Sequence, residues 1–173
     1  MAEQKKSVFE TLNAVNVNDK AEKKGNLTYL SWAWAWGEVK KAFPEATFTI
    51  YERETQYGPV FYFTDGKTCW VKTGVTINGL EHIEMLPVMN NYNQSIQLEK
   101  VTSMDINKAI QRSLTKAAAR HGLGLYIYAG EDLPEDEAAE EKKSEAADPK
   151  KMKKDAPATV KTARTVPSIE EAI

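Results

Sequence analysis

Residues 103–121 read SMDINKAIQRSLTKAAARH, and this stretch decides the fold. Apolar or small side chains recur in it at three- and four-residue steps, which is the spacing of one face of an α-helix. These positions are Ile106, Ile110, Leu114, Ala117 and His121. Ser103 can cap the start and Gly122 can end the helix. The stretch therefore predicts a long helix with one buried face.

A second row on the same helix is basic. Its members follow one another at strict four-residue steps: Lys108, Arg112, Lys116 and Arg120. Each step rises about 6 Å, so the row predicts a solvent-facing column about 18 Å long, opposite the buried face. The only acid, Asp105, lies in the first turn, where the helix dipole favours it. Such a column suits a phosphate backbone, although a solvated helix face is the alternative.

Four strand-like segments precede this helix: residues 46–53, 60–64, 67–77 and 80–89. Asp65-Gly66 and Asn78-Gly79 separate the last three, and such pairs favour tight hairpins because both residues tolerate positive φ. Pro87 has no N–H to donate, so it marks the end or edge of the last strand. The pattern predicts a four-stranded antiparallel meander.

Residues 29–44, YLSWAWAWGEVKKAFP, come before the strands. The W-A-W-A-W alternation fits a strand, but the apolar spacing continues at helical steps to Phe43 and stops at Pro44. We therefore expect a helix capped by Ser31 or Thr28, with a core face made of Trp32, Trp36, Val39 and Phe43. The fold class is α+β, with the meander packed with this helix and the long following helix, and with one face of the sheet covered by helix.

The N-terminal residues predict a short helix over 7–15 and a polar loop over 16–26. Residues 1–130 contain every aromatic residue of the chain. They hold 15 of its 23 Lys/Arg residues and 13 of its 25 Asp/Glu residues. Residues 131–173 hold the other 8 Lys/Arg and 12 Asp/Glu residues. The last segment cannot bury enough apolar surface to offset the entropy of ordering. We expect a folded domain over 1–130 and a charged, disordered tail over 131–173.

Composition also limits the compartment. The sequence has no run of about 18 apolar residues, so we expect no transmembrane helix. Residues 1–6 are not followed by the apolar core of a secretory signal, so we expect no such signal. Cys69 is the single cysteine of the 173 residues, so an internal disulfide is impossible. We expect a protein of the reducing cytoplasm.

Common enzyme patterns fail. Gly66-Lys67-Thr68 joins two strands and lacks the upstream glycine of a phosphate-binding loop. His82 and His121 are isolated, so no metal-ligand spacing is present. We predict no catalytic residue, no metal and no cofactor.

Trp70 and Lys72 share one face of the strand over 67–77, because alternate strand residues point the same way. A stacking ring beside a cation is typical of single-stranded nucleic-acid binding. Burial against a second subunit or another helix is the alternative for Trp70, and it is the favoured interpretation for Trp34.

Three segments resemble a known family: 29–36 (YLSWAWAW), 107–117 (NKAIQRSLTKA) and 121–134 (HGLGLYIYAGEDLP). Over residues 25–134 the chain resembles the phage single-strand annealing proteins of the Sak type, which are similar to the eukaryotic annealing protein Rad fifty-two. The resemblance implies a βββ-α core and assembly into rings or filaments. It also implies a basic groove that holds single-stranded DNA, annealing without ATP, and work beside a single-strand-binding protein.

In the family the groove has two adjacent basic residues, and the resemblance places them at Gln111 and Arg112. Because this chain has a glutamine at the first position, Lys108 or Lys116 can take the place of the missing cation. The predicted DNA-binding set is Lys108, Gln111, Arg112, Lys116, Arg120, Trp70 and Lys72. We expect the basic helix face and the Trp70–Lys72 strand face to line one groove.

The predicted function is annealing of complementary DNA strands in phage recombination, as an oligomer in the bacterial cytoplasm and without enzymatic activity. A single-strand-binding protein is the expected partner of the tail, and no membrane is involved. The rivals are a nucleic-acid-binding module that does not anneal, and an interaction protein whose basic helix lies at a subunit interface.

Overall fold

The predicted long helix is present. In the computed structural model, which describes residues 6–25 and 27–129, it spans Ser103–Arg120. The chain divides into two units, and every described residue lies in the first, Met1–Leu133. The predicted tail, residues 131–173, lies outside the described residues and stays a prediction.

Helices and antiparallel strands make up the described residues, which confirms the α+β class. The helices are α1, Val8–Asn13; α2, Trp32–Ala42; and α3, Ser103–Arg120. The strands are β1, Ala21–Lys24; β2, Leu27–Leu30; β3, Thr47–Ile50; β4, Arg53–Thr55; β5, Gly58–Val60; β6, Phe63–Thr64; β7, Cys69–Ile77; and β8, Leu80–Pro87. None of the helices in these residues combines the length and the apolar character needed to cross a bilayer.

Strand β7 is the centre of a four-stranded sheet. It pairs along one edge with β8 through the Asn78-Gly79 turn, where φ is 51° and 79°, as predicted. Its other edge pairs with β3 and, further along, with β6. The order therefore departs from a simple meander. The cause is the local hairpin β4–β5, Arg53–Val60, which takes up the start of the predicted strand 60–64.

Helix α3 covers one face of this sheet. The side chains of β7 that face it are buried: Cys69, Val71, Thr73, Val75 and Ile77. The hydroxyls of Thr73 and Ser113 hydrogen-bond at 2.7 Å inside this contact. The alternate residues of β7, Trp70 and Lys72 among them, lie on the outer face, as the period of two predicted.

Two helix details correct the predictions. The cap of α3 is Thr102 instead of Ser103, since its hydroxyl donates to Asp105 at 2.6 Å and accepts the Asp105 N–H at 3.3 Å. The Thr102 hydroxyl and the Thr102 N–H both donate to Asp105 Oδ2, and these two hydrogen bonds lower the pKa of Asp105. In α2 the fully buried residues are Ala35 and Val39, whereas Trp32 is 50% exposed. Because Trp32 opens the first turn of α2, it lies at the rim of the core.

The predicted loop over residues 16–26 contains strand β1, which pairs with β2 in a hairpin. Strand β1 reads AEKK, a sequence without apolar alternation. Its partner β2 supplies the apolar side, with Leu27 and Leu30 buried. This hairpin carries Lys24 and Tyr29, and the Tyr29 ring lies against both Lys24 and Arg112 of α3.

Candidate nucleic-acid interface

The four cations of α3 do not form a single column. A four-residue step advances about 400° around a helix, so the row rotates by about 40° per step and about 120° in all. Lys108 and Arg120 are exposed, whereas Arg112 and Lys116 are half-buried. The predicted solvent-facing column is wrong in this respect, and each cation has its own surroundings.

Arg120 is paired with a carboxylate of the sheet. Its Nε donates to Glu84 Oε2 at 2.5 Å, and the Glu84 side chain is 9% exposed against 54% for Arg120. A buried carboxylate that loses its cation is strongly destabilising. Arg120 is therefore engaged by the protein's own acid and is poorly suited to hold a phosphate.

Two cations from different elements meet at the ring of Tyr29. The guanidinium carbon of Arg112 lies 5.2 Å from the ring centroid, and Lys24 Nζ lies 5.5 Å from it. Cations are attracted to the face of an aromatic ring, so the Tyr29 ring attracts a cation from each of the two elements. Lys108, exposed and one turn before Arg112, extends this surface along α3. We name Lys24, Tyr29, Lys108 and Arg112 the Tyr29 patch.

A cleft of about 450 Å³ opens at the C-terminal end of α3. Lys116 Nζ lies 5.4 Å from the ring centroid of Tyr128 on its wall. Tyr126 anchors the same segment, because its hydroxyl accepts the Val17 N–H at 3.1 Å. The cleft also contains the Glu84–Arg120 pair. It carries both signs of charge, so it suits phosphate less well than the Tyr29 patch does.

Gln111 lines a different space, a groove of about 150 Å³ between α2, α3 and β3. Trp32, Trp36 and Phe48 form its aromatic walls. Trp36 and Phe48 meet edge to face, with ring centroids 5.3 Å apart and planes at 86°. Gln111 Oε1 is buried and meets no hydrogen-bond donor in the described residues. We name this space the aromatic groove.

Trp70 and Lys72 lie on the opposite face of the sheet from α3. Trp70 stacks on Phe63 with centroids 6.4 Å apart, and Lys72 Nζ lies 4.5 Å from the Tyr51 ring centroid. The Tyr51 hydroxyl donates to Glu81 at 2.8 Å, and this hydrogen bond raises the pKa of Tyr51. One subunit therefore does not bring this pair and the α3 cations into one groove, contrary to expectation.

The other reactive groups belong to the core. Residues 6–25 and 27–129 contain no group of three or more His, Cys, Asp or Glu side chains placed to hold a metal ion. His121 is buried, with Nε2 at 2.7 Å from the Val75 carbonyl oxygen and its ring 4.3 Å from that of His82. Burial lowers the pKa of His121 and raises the pKa of the Cys69 thiol.

Sequence reasoning missed Lys24 and Tyr29, because the segment around Lys24 was interpreted as a loop. The signal was the pair Gly25-Asn26 in the sequence before the apolar segment 27–30, because such Gly/Asn pairs are typical of tight hairpins. It missed the aromatic groove because Trp32 was assigned to the core. Trp32 is the first residue of α2, whereas the buried residues Ala35 and Val39 come later in the helix. This position at the start of the helix could have indicated that Trp32 is only partly buried.

Comparison with known proteins gives one match. The family model described as Sak Single Strand Annealing Protein matches residues 6–161, a range that includes all the described residues. No curated protein and no solved structure matches the chain.

Proposed function

The chain belongs to the Sak single-strand annealing protein family, and on that premise we propose that it holds single-stranded DNA by its phosphates at the Tyr29 patch. Membership makes it a DNA-binding, single-strand annealing protein of phage recombination. The observation that carries the proposed site is the convergence of Lys24 and Arg112 on one ring, with exposed Lys108 beside them.

Phosphate contacts at this patch leave base edges free. Lys and Arg side chains neutralise the backbone without reading the bases, so binding is independent of sequence. A second strand can then pair with the exposed edges. Lys116 lies one further turn along α3, on the wall of the cleft, and adds positive charge there, while Arg120 stays with Glu84 and acts on stability. Gln111 contributes from the neighbouring side of the helix.

The protein works as a ring or filament, because one domain spans only a few nucleotides. Trp70 and Lys72 face away from α3 within a subunit, so they join the DNA path only where a neighbouring subunit brings its own α3 alongside them. The stacked Trp70–Phe63 pair and the partly exposed outer face of the sheet favour this arrangement.

Annealing proceeds without ATP and without a cofactor, since phosphate neutralisation and base pairing supply the free energy. The charge blocks of residues 131–173 suit contact with a single-strand-binding protein in the bacterial cytoplasm. Deleting residues 135–173 should abolish binding to such a protein and leave annealing of bare strands intact. Loss of annealing would instead assign the tail to the DNA site.

The direct test mixes two complementary oligonucleotides without ATP and follows duplex formation, with gel filtration of the same sample. We expect accelerated annealing by an oligomer, slowed by Lys24→Ala with Lys108→Ala. Lys41→Ala is the matched control, because Lys41 is exposed on α2 and paired with Glu38. DNA binding without annealing would favour a plain binding module. A monomer that binds no DNA would favour the interaction protein.

A further inference from the structure

A short loop after β8 presents an exposed aromatic ring. Tyr92 is 83% exposed, and it lies at the tip of a turn that is closed by an antiparallel bridge between Met89 and Ser95. We name residues 89–95 the tyrosine loop. A large ring held almost entirely in water buries little apolar surface, so it contributes little to the stability of the fold.

The tyrosine loop is held in shape by its own polar groups. Asn90 Oδ1 accepts the N–H of Tyr92 at 2.9 Å and the N–H of Gln94 at 3.1 Å. The Asn90 N–H donates to the Gln94 carbonyl oxygen at 2.9 Å. Asn93 has a φ of 62°, a left-handed conformation that asparagine tolerates. None of these hydrogen bonds uses the Tyr92 side chain, so the backbone beneath the ring is already ordered before a ligand arrives, which lowers the entropic cost of binding.

The tyrosine loop borders the Tyr29 patch at two points. At the base of the loop, Arg112 Nη1 donates to Met89 Sδ at 3.5 Å. At its tip, a Cβ built on Gly25 would lie 3.8 Å from the Asn91 carbonyl oxygen. Gly25 directly follows Lys24 in the sequence. The loop therefore meets both elements that bring a cation to the patch, helix α3 and the β1–β2 hairpin.

The surroundings of the exposed ring suit a nucleic acid. Residues 85–98 include no charged residue, so this segment does not repel phosphates. The neighbours of Tyr92 are exposed amide side chains, those of Asn91, Asn93 and Gln94, which can donate and accept hydrogen bonds. The core of a protein interface is apolar and depleted of polar groups, whereas a base needs a flat ring and polar groups beside it. These neighbours favour a base over a second copy of the chain.

We propose that Tyr92 stacks on one base of a strand whose phosphates are held at the Tyr29 patch. The inference rests on the proposed function, because the patch brings the strand to the loop. Tyr92 follows Asn91, whose carbonyl faces Gly25, so its ring is within reach of a base next to those phosphates. Every base has a face on which a ring can stack, so this contact is as independent of sequence as the phosphate contacts are. Stacking uses the face of the base and leaves its pairing edge open to a second strand.

The test compares two polymers of equal length and charge, oligo(dT) and an abasic deoxyribose-phosphate oligomer, using the full chain. We expect Tyr92→Ala to weaken oligo(dT) binding roughly tenfold, the scale of one lost stacking contact. It should leave the affinity for the abasic polymer unchanged. Tyr92→Phe keeps the ring and should retain the wild-type affinity for oligo(dT).

Two further variants serve as controls. Tyr57→Ala is the matched control, because Tyr57 is 91% exposed at the turn of the separate β4–β5 hairpin. It should bind both polymers as the wild-type chain does. Lys108→Ala is the contrasting variant, because loss of a phosphate contact should weaken the binding of both polymers alike.

The results that overturn the inference are distinguishable from failure of the proposed function. Wild-type affinity of Tyr92→Ala for oligo(dT), or an equal loss in Tyr57→Ala, overturns the stacking role and leaves the phosphate site standing. A loss in Tyr92→Ala that is equal on both polymers also overturns it, since the ring would then not act on a base. A change in the elution volume of Tyr92→Ala without DNA would assign the ring to contact with a second copy instead. A wild-type chain that binds neither polymer overturns the proposed function and this inference together.

Discussion

Replacing Arg120 with alanine should destabilise the fold instead of weakening DNA binding. Arg120 is the only partner of Glu84 that the described ion pairs contain, at 2.5 Å. Removing one member of a fully buried pair costs about 3–5 kcal/mol. Because the arginine is 54% exposed, water reaches the site, and we expect a smaller loss of about 2 kcal/mol. For a domain of this size that lowers Tm by roughly 8 °C.

A double-mutant cycle with Glu84→Gln isolates the pair from other effects of each substitution. In urea unfolding, Arg120→Ala should cost much less free energy when Glu84 is already glutamine, with a coupling of about 1 kcal/mol or more. Lys108→Ala is the matched control, an exposed cation of the same helix, and should change stability by less than about 0.5 kcal/mol. The reasoning fails if Arg120→Ala leaves Tm unchanged and reduces DNA affinity as Lys108→Ala does.

Three further predictions concern the core around α3. Ser113→Ala should lower the free energy of unfolding by about 1–2 kcal/mol, measured in urea, because it leaves the buried Thr73 hydroxyl without its hydrogen-bond partner. Adding Thr73→Val should recover most of that loss. Additive losses would contradict the shared hydrogen bond. Burial lowers the pKa of His121 below its ordinary 6.5, so the unfolded chain binds a proton at this residue more readily than the folded chain does. The free energy of unfolding should therefore fall as the pH drops below about 6.5, by at most about 1.4 kcal/mol per pH unit. His121→Gln should flatten that pH profile, and an unchanged slope would remove His121 as the cause. Gly122→Ala should lower the free energy of unfolding by about 2–3 kcal/mol, because φ is +121° and a Cβ would lie 2.8 Å from a backbone oxygen of α1. Gly37→Ala is the control, since its Cβ would enter open space and should not destabilise the fold. Equal effects of the two substitutions on Tm would refute the argument.

Local sequence patterns predicted most of the secondary structure. Helix α3 and the hairpin at Asn78-Gly79 follow from periodicity and turn chemistry that act within a few residues. The pairing of β3 with β7 joins segments more than 20 residues apart and depends on the intervening hairpin β4–β5. No local signal predicts which of two antiparallel partners a strand takes. The sheet order therefore had to come from the structure.

The sequence predicted a candidate site on the cations of α3, but it did not predict how these cations are arranged. The four-residue spacing of the cations is regular along the sequence, yet it winds around the helix, so Arg120 reaches the Glu84 carboxylate on the sheet. The sequence could not show that Lys24 and Arg112 share the Tyr29 ring, because this depends on how the β1–β2 hairpin packs against α3. Pairings of this kind are decided by tertiary packing.

The salt dependence of single-stranded DNA binding tests the central claim most directly. Wild-type chain, Lys108→Ala and Lys41→Ala should be titrated with one oligonucleotide over a range of salt concentrations. Each lost phosphate contact lowers the slope of log K against log salt by about 0.7 for a single strand. We expect that reduction for Lys108→Ala and the wild-type slope for Lys41→Ala. Equal slopes in all three proteins would contradict phosphate binding at the Tyr29 patch.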